Sequence, residues 1–186
     1  MLLAGCGSSS RAPASSGIPR SLLQQARQIG AGPRFQPPVR GPVIGRCRRG
    51  LGTRSAVHVE VFAANRVVLV PAGIGSRPPR ALADGQITDA RCYADLVTLA
   101  PTGVVLVRAG LQMTVAQLFR SWGETLTGSR LASFRASPGK HVAAFVDGRR
   151  WRGQPGAVPL ARHSEIVLEV GPYVPPHKAF AFPPGS

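Results

Sequence analysis

The 186-residue chain is long enough for one domain with its own core plus a tail, without several disulfides or a structural metal to hold it together. With 44% hydrophobic and 17% charged residues it is neither a highly charged disordered chain nor a membrane-spanning one, and no apolar run approaches the roughly 20 residues of a transmembrane helix. Lys plus Arg number 23 against 8 acids, a formal charge of +15, and only Lys140 and Lys178 are lysines. Such an arginine excess beside abundant Ala, Gly and Pro matches a GC-rich coding background, and it leaves polyanions open as partners.

The chain begins Met-Leu-Leu-Ala-Gly-Cys, and Leu3-Ala4-Gly5-Cys6 resembles the lipobox of bacterial envelope lipoproteins. That resemblance implies an exported protein with diacylglycerol on Cys6, followed by Gly7-Ser8-Ser9-Ser10 as a flexible spacer. Only Met1, Leu2 and Leu3 precede the box, so the start of the signal peptide is expected upstream of Met1. Residues 7–53 read as a tether rich in Ser, Pro, Gly and Arg, interrupted by one short helix with a capping box at Ser21 and Gln24.

From residue 54 the pattern becomes that of a domain. Val57, Val59 and Val61 alternate with His58, Glu60 and Phe62, a tip follows at Ala64-Asn65, and Val67 to Val70 return toward Pro71, which predicts a β-hairpin. The segment carrying Asp84, Asp89 and Asp95 reads as a polar loop. Val104 to Val107 form a strand too continuous to have one solvated face. Thr114 and Gln117 make a capping box for a helix whose Val115, Leu118, Phe119 and Trp122 share one side, with Gly123 ending it. A second hairpin turns at Asp147-Gly148, a buried strand runs from Glu165 to Val170, and Pro172, Pro175, Pro176, Pro183 and Pro184 keep the tail out of any sheet.

Strand, helix, strand, turn, strand in this order resembles the second half of a β-grasp domain, although the last strand ends Val170-Gly171-Pro172 instead of in the Gly-Gly of ubiquitin-like carriers. Three segments are also similar to a group of secreted bacterial and archaeal proteins of unknown function. Its helix reads T-L-G-Q-F-F-x-x-W-G, matched here at Thr114, Gln117, Phe119, Trp122 and Gly123. Its first strand carries alternating histidines, of which His58 remains. Its segment C-x-x-x-L-H-T-H-D-x-T-G aligns with Cys92 to Gly103, where Val97, Leu99 and Ala100 replace the two histidines and the aspartate.

No nucleophile motif, phosphate loop or zinc-binding spacing appears, and His58, His141, His163 and His177 are scattered. No catalytic residue, metal site or cofactor is therefore assigned. With Cys6 acylated, Cys47 and Cys92 remain as an even pair in an exported chain, and a disulfide between them is expected, worth roughly 4 kcal/mol by loop entropy. Arg149, Arg150 and Arg152 around Trp151 are the candidate polyanion-binding residues.

The sequence thus leads to one α+β domain over residues 54–172, a small mixed or antiparallel sheet with one main helix, β-grasp-like, with a Pro-rich tail over 173–186. Its expected role is that of a lipid-anchored, non-catalytic binding or structural protein on the outer face of the cell membrane. Its partners would be membrane lipid through Cys6 and an anionic envelope polymer or another envelope protein, with no nucleic acid expected. An enzyme or metal-binding protein with a site around His58, Glu60 and His141 is the alternative, and a basic nucleic-acid-binding protein would follow if the chain were not exported.

Overall fold

A computed structural model describes residues 38–64, 66–176 and 179–182, with only the backbone of Arg66. Cys6 and its lipobox, the capping box at Ser21 and Gln24, and Asn65 at the hairpin tip lie outside the described residues.

The alternating valines build β1 (Arg54–Ala63), and β2 (Arg66–Val68) folds back on it antiparallel with Phe62 opposite Val67, forming the expected hairpin. The segment read as a polar loop is instead a second hairpin of β3 (Ser76–Ala83) and β4 (Gln86–Tyr93), turning at Asp84-Gly85 with both residues at positive φ. Its period is hidden because β3 is exposed over most of its length; only Ile87, Ala90 and Tyr93 of β4 reach a core. Next come β5 (Leu96–Val97) and β6 (Val104–Arg108), paired antiparallel. Val105 and Val107 enter the main core while Leu106 packs on the cluster of Ile87, Ala90, Tyr93 and Val97, so both faces of the continuous run are covered.

Helix α1 (Val115–Trp122) buries Val115, Leu118, Phe119 and Trp122, as their spacing requires. Gln117 Oε1 accepts the Thr114 N–H at 2.8 Å, and Gly123, at φ 91°, closes the C-terminus with its N–H directed to the carbonyls of Phe119 and Arg120. The small pair β7 (Arg130–Leu131) and β8 (Phe134–Arg135) follows, then the hairpin of β9 (Ala143–Val146) and β10 (Arg149–Arg150) around Asp147-Gly148. After a short 3₁₀ turn at Pro155–Ala157 the chain ends its sheet with β11 (Glu165–Val170).

These elements make a mixed α+β fold. The seven-stranded sheet runs β10-β9-β11-β1-β6-β5, with β2 also on β1. At its centre β1 and β11 lie parallel, from His58 opposite Glu165 to Ala63 opposite Val170; every other pairing is antiparallel. This central parallel pair of the first and last strands is flanked by β6, which precedes the helix, and by β9, which follows it. One face of this sheet, with Val57, Val59, Val61, Ile166 and Leu168, closes on α1.

Residues 38–53, assigned by composition to the tether, lie against the domain. The N–H groups of Arg40 and Gly41 donate to the Trp122 carbonyl, Val39 and Ile44 pack on the main core, and Arg48 bridges to Tyr93. Gly123 is obligatory at the contact, since a Cβ there would meet the Gly41 nitrogen at 2.6 Å. Cys47 and Cys92 are joined in a disulfide with Cα atoms 5.3 Å apart. Beside it, the Arg54 guanidinium donates to the carbonyls of Leu51, Ala94, Asp95 and Leu106, and Arg108 Nε pairs with Asp95 at 3.0 Å. Burial, reinforced by Arg108 and opposed by Asp95, lowers Arg54 to about 10.

Replacing Cys47 and Cys92 together with serine is expected to cost roughly 2–4 kcal/mol in urea unfolding. An unchanged midpoint would mean that residues 38–53 and β4 hold together without the bridge.

Candidate functional site

The second face of the sheet is where polar chemistry collects. Side chains alternate across a strand, so the valines that enter the core from β1 force His58, Glu60 and Phe62 to the opposite side. The same rule sends Ile166 and Leu168 of β11 inward and Glu165, Val167 and Glu169 to the face shared with His58. The parallel register then sets His58 directly beside Glu165.

His58 Nδ1 lies 2.7 Å from Glu165 Oε2 and 3.0 Å from Oε1, and its Nε2 lies 2.9 Å from the Thr102 carbonyl. A carbonyl only accepts, so Nε2 carries a hydrogen. The contact between Nδ1 and the carboxylate requires one further proton, held between the two groups. Both side chains are 1% exposed. Glu60, also buried, brings a carboxylate oxygen to the same place: one donor atom from each of His58, Glu60 and Glu165 lies within 4.8 Å of the others. The turn before β6 fits tightly around the ring. Gly103 sits at φ 81°, and a Cβ there would lie 2.8 Å from His58 Nε2 and 2.6 Å from the Val59 carbonyl oxygen.

What buries this face is the proline-rich C-terminal segment. It cannot pair as a strand, yet it lies over the sheet through its side chains: Tyr173 meets Phe145 edge-on at 6.1 Å, and Phe180 stacks on the His58 ring at 3.9 Å with 13° between planes. Phe182 stacks on His163 at 4.8 Å and braces Phe180. The Val174 N–H donates to Glu169 Oε2 at 3.1 Å. Burial raises the Glu169 carboxyl above the usual range, against the opposing pull of that N–H and of Arg150.

Of the residues singled out in the sequence, His58 and Glu60 are together, whereas His141 is not with them: it is exposed and lines an open groove with Val142, Ala144, Trp151, Arg152 and Gln154. Glu165 takes the third place, and nothing in the spacing of residues 107 apart announced it. Arg149, Arg150 and Arg152 are exposed and Trp151 is half-buried against the core. The Arg150 guanidinium lies 6.0 Å from the Phe145 ring centroid, and Trp151 Nε1 donates to the Gln154 carbonyl, bending the chain round the groove. Val97 is fully buried in an apolar cluster and Leu99 packs on it. Asp95 is held by Arg108, and Asp84 occupies a hairpin turn.

No protein-family description, no curated protein and no solved structure matches the chain.

Two outcomes follow from this geometry. Gly103→Ala is expected to lower stability by about 2 kcal/mol or more, because backbone and the His58 ring both block the methyl; a neutral effect in thermal unfolding would show that the turn can move off the ring. A raised folded-state pKa at Glu169 contributes stability that is present below the ordinary carboxylate range and lost as pH rises through the folded value. Glu169→Gln is therefore expected to raise Tm at pH 7 and to leave it unchanged near pH 3, and a gain of equal size at both would contradict the assignment.

Proposed function

We propose that the protein is an exported, lipid-anchored binding module of the cell envelope, held to the outer face of the membrane through Cys6 and using the arginine-bearing end of its sheet to hold a phosphate-rich envelope polymer. The observation that carries the binding half is the open groove beside β10. Arg150, Arg152 and His141 line it together with the flat side chain of Trp151, giving cations and an aromatic surface within one concavity. Arg149 adds a further exposed charge on the edge strand. Groups of this kind grip a chain of phosphates electrostatically and need no deep pocket. The Cys47–Cys92 disulfide supports export, since such bonds persist where the surroundings are oxidising. The Leu3-Ala4-Gly5-Cys6 sequence supports the anchor. Two or more acyl chains would hold the protein stably, where a single chain binds only marginally.

The test has two readouts. Expressed from the gene with its upstream region, the membrane-fraction protein is expected to carry a diacylglycerol-sized mass that Cys6→Ala abolishes; an unmodified, soluble wild-type product would end the anchoring claim and make RNA the ligand to examine. The purified chain is expected to bind long-chain inorganic polyphosphate with an affinity that falls steeply with salt. Arg150→Ala with Arg152→Ala should weaken it by about tenfold, the effect of roughly 1.4 kcal/mol. Binding that is indifferent to both substitutions would move the site elsewhere on the basic surface.

A further inference from the structure

The His58, Glu60 and Glu165 cluster lies apart from the basic groove and plays no part in the binding proposed above. It is also an expensive thing to bury: three ionisable side chains in the interior of one sheet face, where an apolar trio would pack at no electrostatic cost. Three features of its arrangement point the same way. The donor set is one imidazole nitrogen and two carboxylates, from neighbouring positions of two parallel strands, with the ligand atoms within 4.8 Å of one another. The His58 ring is oriented from its far side, where Nε2–H donates to the Thr102 carbonyl, and this is how a metal-ligating histidine is usually fixed: one nitrogen tied to a backbone carbonyl, the other aimed at the ion. The site is also closed from outside by the Phe180 ring stacked flat on the imidazole.

From this we infer that His58 Nδ1, Glu60 and Glu165 form a binding site for a single divalent cation of the zinc class, seated beneath the C-terminal segment. One neutral imidazole with two carboxylates suits Zn²⁺, which takes His nitrogen and Glu oxygen together, and it leaves a fourth position free, whereas Mg²⁺ and Ca²⁺ favour all-oxygen shells. The two carboxylate charges balance those of the ion. Without metal, one proton lies between Nδ1 and Glu165; the ion takes its place, so the exchange is one Zn²⁺ bound for one H⁺ released. Affinity therefore falls as the pH is lowered, by up to tenfold per unit wherever that proton must be displaced. Arg108, Arg54 and Asp95 belong to the polar group beside the disulfide; among the described residues, the charged groups on the buried face itself are His58, Glu60, Glu165 and Glu169, with Arg150 and His163 at its margins.

Calorimetric titration of the chelator-stripped, disulfide-intact chain with ZnCl₂ tests this, run at pH 7 in two buffers of different ionisation enthalpy. The expected result is one Zn²⁺ per chain with about one proton released, and no comparable heat from MgCl₂ or CaCl₂. Glu165→Gln, which keeps the shape of the side chain, should weaken binding by about a hundredfold or more, whereas His141→Ala, in the groove, should leave it unchanged. Phe180→Ala should leave stoichiometry intact and speed removal of the ion by EDTA. Should Glu165→Gln fail to fold, Glu60→Gln serves in its place, and the wild-type Co²⁺ complex is expected to show the intense visible absorption of a four-coordinate ion. A folded wild-type chain that takes up no stoichiometric Zn²⁺, or one whose uptake survives loss of either carboxylate, overturns the assignment. Neither result bears on polyphosphate binding, which is read separately through Arg150 and Arg152.

Discussion

The parallel pairing of β1 with β11 is the contact on which the remaining architecture rests. It joins the first strand of the domain to the last across more than a hundred residues and sits at the centre of the sheet, so both of its faces are buried. On one side Val57, Val59 and Val61 meet Ile166 and Leu168 beneath the helix. On the other the same register lays His58 against Glu165. A shift of one residue between the strands would exchange the two faces and place carboxylates under the helix, so the hydrophobic core and the polar cluster fix each other's position.

A polar cluster of this kind stabilises only if it is shielded and satisfied, and the fold supplies both from loops rather than from regular structure. The turn at Thr102-Gly103 brings a carbonyl to the far side of the imidazole, which a residue with a side chain at position 103 would prevent. The C-terminal segment brings Phe180, and with it Tyr173 and Phe182, over a face that would otherwise stand open to water. The N-terminal segment does the equivalent work at the helix end, where Arg40 and Gly41 satisfy the Trp122 carbonyl and the disulfide fixes the path. Among the described residues, a small sheet with a single helix is thus sealed by two irregular segments, residues 38–53 on one side and the C-terminal segment on the other.

What the sequence disclosed was whatever depends on neighbours within a few positions. The first hairpin, the helix with Thr114, Gln117 and Gly123 at its ends, the turn at Asp147-Gly148 and the closing strand all follow from local period and local turn chemistry. The β3–β4 hairpin escaped because its exposed residues carry no alternation. The polar face escaped for a different reason. Alternation placed His58 and Glu60 on one side of a strand, but which distant side chain would meet them depends on the pairing of strands far apart in sequence, and His141, the partner expected from the second hairpin, points into the groove instead. The described residues of the tail join no strand, and its prolines say nothing about aromatic rings lying on top of the sheet.

The most direct test of this account is the imidazole region of the nitrogen–proton NMR spectrum of the metal-free, disulfide-bonded protein. The structure requires two hydrogen-bonded protons on His58, one toward Thr102 and one shared with Glu165, both slow to exchange with water and both close to the Phe180 ring. Two protected downfield signals with Overhauser contacts to Phe180, one of them displaced in Glu165→Gln, would establish the register and its cover together. A His58 ring that exchanges freely and shows no contact with Phe180 would contradict both.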